Sequence, residues 1–239
     1  MVKKTLENIT ILGSSHIAAQ SIKEVESIIN SIQPDIIALE LDAGRLGGLI
    51  SEPKNGRGLS ISQIGFKGYI FSKIGSFVEH RLGKVVGVKP GAEMKRAYEL
   101  AQKNKARIAL IDVPIITTMR KLSNSITWKE KFNFFIDIVK GLVFFIAGKK
   151  PEIQFDLRTV PSELLISSLV SRVRERYPNV YRVLIHERNI YMARKINLLN
   201  QKFPDAKIFA IMGAGHVSEV YEILQNFEND AKMTQIRVN

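Results

Sequence analysis

Four apolar runs constrain the fold more than any other feature: ITIL at 9–12, IIALEL at 36–41, RIALID at 107–112 and KIFAIM at 207–212. They are continuous rather than alternating, and rich in isoleucine. A strand exposed on one face alternates apolar with polar residues. A strand covered on both faces stays apolar throughout, as in a mostly parallel sheet. Helical spacing lies beside each run. Ile22, Val25, Ile28, Ile29 and Ile32 recur at the helix period before Pro34, which cannot continue a helix. Further helices are expected over 92–105, 162–175, 179–201 and 217–227. Strands alternating with helices predict an α/β fold, a mostly parallel or mixed central sheet flanked by helices, in a single domain over 1–239.

Two stretches break the pattern. Residues 44–91 are dense in glycine and read as loops and short helical pieces. The 121–160 segment holds FNFFIDIVKGLVFFIAG at 132–148. A helical insertion is expected over about 115–160, with 44–91 and 121–160 packing across the sheet or closing over a site as a lid. The aromatic stretch is short for a bilayer span and carries Asp137 and Lys140, so a buried or interfacial helix is expected. The N-terminus MVKKTLENIT has no apolar signal region, which points to the cytoplasm.

Composition narrows the chemistry. The chain has no cysteine, which excludes disulfides, thiolate zinc sites and cysteine nucleophiles. Its net charge of +12 favours anionic partners. The basic residues are scattered, and the densest cluster, RVRERYPNVYR at 172–182, has no nucleic-acid-reading signature beside it. No specific nucleic acid is therefore expected. Docking on an anionic membrane surface through the 132–147 helix stays open, as does a homo-oligomer.

The strand ends carry the polar residues. ITIL leads to Gly13-Ser14-Ser15-His16, and KIFAIM leads to Gly213-Ala214-Gly215-His216. With 16 Gly and 4 His, chance supplies roughly 0.3 such G-x-x-H matches, so two in the same setting are informative. Ligands of open α/β sheets bind beyond the carboxyl ends of parallel strands. If the four strands are parallel, His16, Glu40, Asp42, Arg45, Asp112 and His216 converge on one edge. Two imidazoles with carboxylates suit a divalent ion, although the spacing is not that of a compact helical metal motif. Glu40 lies inside an apolar run, where it pairs with a structural arginine or serves a site. Asp112 either joins that site or forms a turn before Pro114. Glu93 suits the first turn of a helix as a dipole partner. Arg45 and Arg120 clamp an anion or lie on the surface. His80 and His186 lack the motif and are expected to be structural or exposed.

The set LGSSHI, PDIIALELDAGR, PGAEMKRAYELAQ, IALIDVPIITTMRKL, HERNIYMARKI and IMGAGHVSEV resembles the TraB/PrgY family nearly from end to end. That family is related to the TIKI metalloproteases and more distantly to erythromycin esterase-like proteins. The resemblance implies a metal-dependent hydrolase of peptidase type, acting on a small peptide or a related amide or ester. It implies catalytic roles at Glu40, Arg45, Glu93 and Arg120, and a manganese, cobalt or zinc ion held by His16, His216 and Glu40. Asp112, Glu187 and Arg188 are second choices. It equally admits a peptide-binding protein without catalysis. The chain departs from the family pattern at Ser14, which replaces a threonine. It departs again at Val113, where an arginine often follows the aspartate, and at Asn189, where an aspartate often follows Glu-Arg. Relatives often continue into transmembrane helices that are not found here, so a soluble form or a lone domain is expected.

Overall fold

Each of the four apolar runs forms a strand, and all four are parallel. The computed structural model describes residues 2–14, 19–51, 62–63, 69, 73, 91–146 and 162–238. The chain begins β1 (Lys3–Leu6), β2 (Ile9–Ser14), α1 (Ala19–Ile32), β3 (Ile36–Leu39) and α2 (Ala43–Ile50). It continues through α3 (Ala92–Lys103), β4 (Arg107–Leu110), α4 (Ile115–Ser125), α5 (Trp128–Ile146), α6 (Glu163–Arg176) and α7 (Pro178–Tyr181). A π-helical turn (Arg182–His186), α8 (Glu187–Lys202), β5 (Ile208–Gly213) and α9 (Ala214–Val238) complete it. The sheet order is β1-β2-β5-β3-β4, with β1 antiparallel to β2.

This order explains the duplicated motif. The last strand in sequence inserts between the first two parallel ones, so β5 pairs with both β2 and β3. Ser14 stands in register with Gly213, and Leu39 with both Ile211 and Leu110. The residues after each strand therefore leave the same edge of the sheet.

Continuous apolarity has the expected cause. Ile9, Ile11, Ile36, Ala38, Ile208, Ala210 and Met212 pack on one face, against Met192, Ala193 and Ile196 of α8 and Val217, Val220 and Leu224 of α9. Leu12, Ile37, Leu39, Phe209 and Ile211 pack on the other, against Val25 and Ile29 of α1 and Met94, Ala97 and Leu100 of α3. Successive strand residues point to opposite faces, so helices on both sides require every position to be apolar.

Some expectations change. The edge strand β1 was not signalled, because KKTL is short and lysine-bearing, as protected edges tend to be. The 179–201 helix is divided into α7, the π-turn and α8. The last helix starts at Ala214 rather than 217, which puts His216 in its first turn. A separate helix, α4, precedes the aromatic one. Of the two expectations for the aromatic helix, buried or interfacial, α5 does not meet burial, since Trp128, Phe132, Phe135 and Ile138 are exposed. His16, His80, most of 52–90 and all of 147–161 lie outside the described residues.

Gly13 lets α9 approach the sheet. A Cβ there would stand 3.0 Å from Ala214 Cα, 3.0 Å from Val217 Cγ2 and 3.2 Å from the Val2 carbonyl oxygen, two of them backbone atoms. Gly13→Ala is expected to lower stability by about 1–3 kcal/mol through overpacking. Urea unfolding checks this, and an unchanged midpoint would mean that α9 withdraws without cost.

Candidate functional site

The carboxyl edge of the sheet is organised around Arg188. The π-turn ends two residues earlier, and Arg188 NH1 donates to the Leu184 carbonyl within it at 3.0 Å. Its fork meets Asp112, with Nε on Oδ1 at 2.9 Å and NH2 on Oδ2 at 2.8 Å. NH2 also donates to Glu40 Oε1. Glu40 directly follows β3, and its second oxygen accepts from the Gly213 amide at the end of β5. Asp112 lies just beyond β4 and also accepts from the Val113 amide at 2.8 Å. One guanidinium thus ties the carboxyl ends of two strands to α8, and Glu40 ties in a third. Arg188 is only 15% exposed. Burial works against its charge, but Glu40 and Asp112 more than compensate, and its pKa lies above the ordinary arginine value.

His216 joins this cluster from the first turn of α9. Its Nε2 is 3.3 Å from Arg188 NH1 and 3.4 Å from Glu40 Oε1, while Nδ1 faces Asn189 Oδ1. Nε2 thus stands between a donor, Arg188, and an acceptor, Glu40, and it is Asn189 that decides the tautomer: its Oδ1 can only accept, so Nδ1 carries the hydrogen and Nε2 of the neutral ring keeps the lone pair. Asn189, fully buried, then accepts from Nδ1 and donates through Nδ2 to Glu219 Oε2 at 2.6 Å. Glu219 also binds His186 Nδ1 and accepts from the Tyr181 hydroxyl at 3.2 Å. A polar chain therefore runs from half-exposed His186 through Glu219 and Asn189 to buried His216. Burial alone would raise the Glu219 pKa. Hydrogen bonds from His186, Asn189 and Tyr181 outweigh it and hold the carboxyl below its usual range.

Arg45 reaches the same place from α2. Its NH1 donates to Asp112 Oδ2 at 3.0 Å and to the Glu40 carbonyl at 3.4 Å, and its side chain remains 36% exposed. It is the cluster's solvent-facing cation. Asp42 positions it by capping two helices, with Oδ1 accepting from the Arg45 amide of α2 and Oδ2 from the Ile115 amide of α4, each at 2.9 Å. Glu93 lies buried in the first turn of α3, where it accepts from Ser14 Oγ at 3.2 Å at the end of β2.

The sequence-predicted residues divide accordingly. Glu40, Arg45, Asp112, Arg188 and His216 converge, and Glu93 joins the same edge through Ser14. Arg120 is exposed and donates to the Gln63 carbonyl instead. Glu187 points toward Lys121, 3.0 Å away, and Arg182. His16 lies outside the described residues. An open cleft of about 1080 Å³ occupies the opposite edge of the sheet, where Asp35, Lys105, Arg107 and Lys202 line it. Asn189 was missed as the partner of His216, and Glu219 as the partner of Asn189. One signal for Asn189 was available: with Met192, Ala193 and Ile196 it forms the helical spacing of the buried face of α8. A polar residue in such a stripe needs a polar partner.

The chain belongs to the TraB/PrgY/gumN family, which it matches over residues 1–231. It is 30% identical to an uncharacterized protein of Methanocaldococcus jannaschii over 93% of its own length and 54% of that protein's. It is 20% identical to the TraB domain-containing protein of Homo sapiens, over 99% of this chain and 67% of the human one. The chain thus spans about half the length of its M. jannaschii relative. No helix among the described residues is long and apolar enough to cross a membrane.

Two outcomes follow from the geometry. Arg188→Ala leaves Glu40 and Asp112 buried without their main counter-charge and is expected to cost about 3–5 kcal/mol in chemical denaturation. Loss of less than 1 kcal/mol, on the order of a surface pair, would contradict its central position. Glu219 has a lowered folded pKa, so its stabilisation is present above its unfolded value of about 4.3 and is lost as pH falls through the folded value. The stability difference between the wild type and Glu219→Gln should therefore shrink between neutral pH and about pH 3. Urea midpoints at each pH measure it, and a constant difference would remove Glu219 from the acid response.

Proposed function

We propose that the carboxyl edge of the sheet is a hydrolytic site for a peptide or a related amide or ester. One observation carries the reading: a histidine with an oriented lone pair, buried carboxylates and a partly exposed arginine meet there from separate elements. Arg45 binds a substrate carboxylate or the oxyanion that forms on attack. His216 takes a proton from water at Nε2 as the oxygen bonds to the carbonyl carbon. It returns that proton to the leaving nitrogen or oxygen as the scissile bond breaks. Asn189 holds the tautomer that leaves Nε2 able to accept, and Glu40 lies beside the imidazolium that forms. Arg188 acts as a positioning residue for both carboxylates.

Sequence adds the expectation of a manganese, cobalt or zinc ion held by His16, His216 and Glu40. Among the described residues no group of three or more histidine and carboxylate side chains has a metal-binding arrangement. Glu40 and Asp112 give their oxygens to Arg188, Arg45 and backbone amides. A dication on Glu40 would have to displace the guanidinium and rely on His16. The described residues alone therefore do not fit a divalent ion.

The same saturation of carboxylate oxygens favours a second reading, a peptide-binding protein without turnover. Both are tested by incubating the protein with short peptides, peptide amides and nitrophenyl esters and detecting products by mass spectrometry. Each reaction is run with a chelator and with added manganese, cobalt or zinc. Turnover is expected in the chelator, with His216→Ala lowering kcat/KM by about 100-fold or more and Arg45→Ala acting mainly on KM for anionic substrates. Turnover that depends on added metal would replace the metal-free mechanism with the ion-assisted one. Saturable binding without product would leave the binding reading, and equal activity in His216→Ala would reject this histidine as the base.

A further inference from the structure

Helix α5 is attached to the protein by its polar side. Glu130 is buried and accepts from the Thr127 amide and hydroxyl, the Asn179 amide and side chain, and the Val180 amide. Asp137 accepts from Arg176 Nε at 2.6 Å and from the Tyr177 hydroxyl. Asn133 donates to the Arg176 carbonyl at 3.3 Å. These contacts hold the 130–133–137 side of the helix against α6 and α7. A surface helix ordinarily buries its apolar stripe and shows its polar one. Here the arrangement is reversed.

The outward side is correspondingly apolar. Trp128 is 82% exposed, Phe132 64%, Phe135 63% and Val139 41%. Their spacing, i, i+4, i+7 and i+11, keeps them within about 60° of arc at roughly 100° per residue. Lysines border the stripe: at the same angular step Lys131 falls on one flank, Lys129 and Lys140 on the other. Lys131 Nζ stands 3.8 Å from the Trp128 ring centroid. The nearest acidic groups on the helix, Glu130 and Asp137, point inward and are already engaged.

We propose that this face docks on an anionic lipid bilayer surface, with Trp128, Phe132, Phe135 and Val139 entering the headgroup–acyl boundary and the lysines contacting lipid phosphates. Aromatic residues flanked by snorkelling lysines suit that interface. Protein–protein interfaces are depleted in lysine, which argues against a protein partner as the occupant. The chain's net charge of +12 complements an anionic surface. The sequence pointed to this helix by hydropathy and charge. The structure adds that the Trp128–Val139 side is exposed while the polar attachments lie on the other side.

Trp128 is the chain's single tryptophan, so its fluorescence reports the event directly. The full chain is titrated at low salt with vesicles of phosphatidylcholine alone, and with vesicles containing about one third phosphatidylglycerol. Co-sedimentation and sedimentation velocity accompany the fluorescence. Trp128 emission is expected to shift to shorter wavelength only with the anionic vesicles, and the binding to weaken as salt rises. Phe132→Ser with Phe135→Ser should weaken binding about tenfold or more while leaving the circular dichroism unchanged, since both side chains are exposed. Three results would overturn the proposal: no shift and no co-sedimentation; a shift that tracks protein concentration and a doubled mass without lipid, which assigns the face to a second copy; or vesicle binding that the double variant leaves intact, which assigns it to charge elsewhere.

Discussion

Everything at the carboxyl edge depends on one buried guanidinium. Arg188 grips Asp112 with two nitrogens and Glu40 with one of them, and Glu40 in turn holds the Gly213 amide. Charges taken out of water are costly unless geometry and hydrogen bonding are nearly complete. Here the planar fork matches the Asp112 carboxylate, and the remaining NH1 finds a backbone carbonyl in the π-turn. A π-turn is rare and frequently marks a functional position. In this chain it precedes the residues that meet the site, Arg188 and Asn189.

The sheet topology makes that meeting geometric rather than sequential. Because β5 lies between β2 and β3, residues from the two ends of the chain leave neighbouring strands. Hydrogen bonds then define chemical states. Glu219 receives the Asn189 amide, Asn189 Oδ1 takes the hydrogen on His216 Nδ1, and Nε2 is left between Arg188 and Glu40. An asparagine can fix that tautomer, but it brings no charge to the imidazole. Asn189 is therefore the residue that sets the tautomer of His216.

Much of the architecture could be read from the sequence because apolar continuity has a single structural cause. Strands such as IFAIM need helices on both faces, and both faces are covered. Glu40 and Asp112 could be read as site candidates, since carboxylates at the ends of apolar strands demand partners. The partner could not be assigned from sequence. Arg188 lies 148 residues from Glu40, and only tertiary packing chooses it over Arg45 or Arg120. Arg120 illustrates the limit: the sequence left it between an anion clamp and a surface residue, and the structure has it exposed, donating to a backbone carbonyl. The aromatic helix was found by its hydropathy, but its orientation rests on its Glu130 and Asp137 accepting from Asn179, Arg176 and Tyr177 of a distant segment.

Asn189 fixes a hydrogen of the His216 imidazole on Nδ1, and the role of His216 as a base needs Nε2 free to accept. Long-range proton–nitrogen NMR of the imidazole at neutral pH tests it most directly. The expected spectrum shows a protonated Nδ1 and an unprotonated Nε2. A spectrum with the proton on Nε2, or on both nitrogens, would contradict the assigned hydrogen-bond chain and the role of His216 as a base.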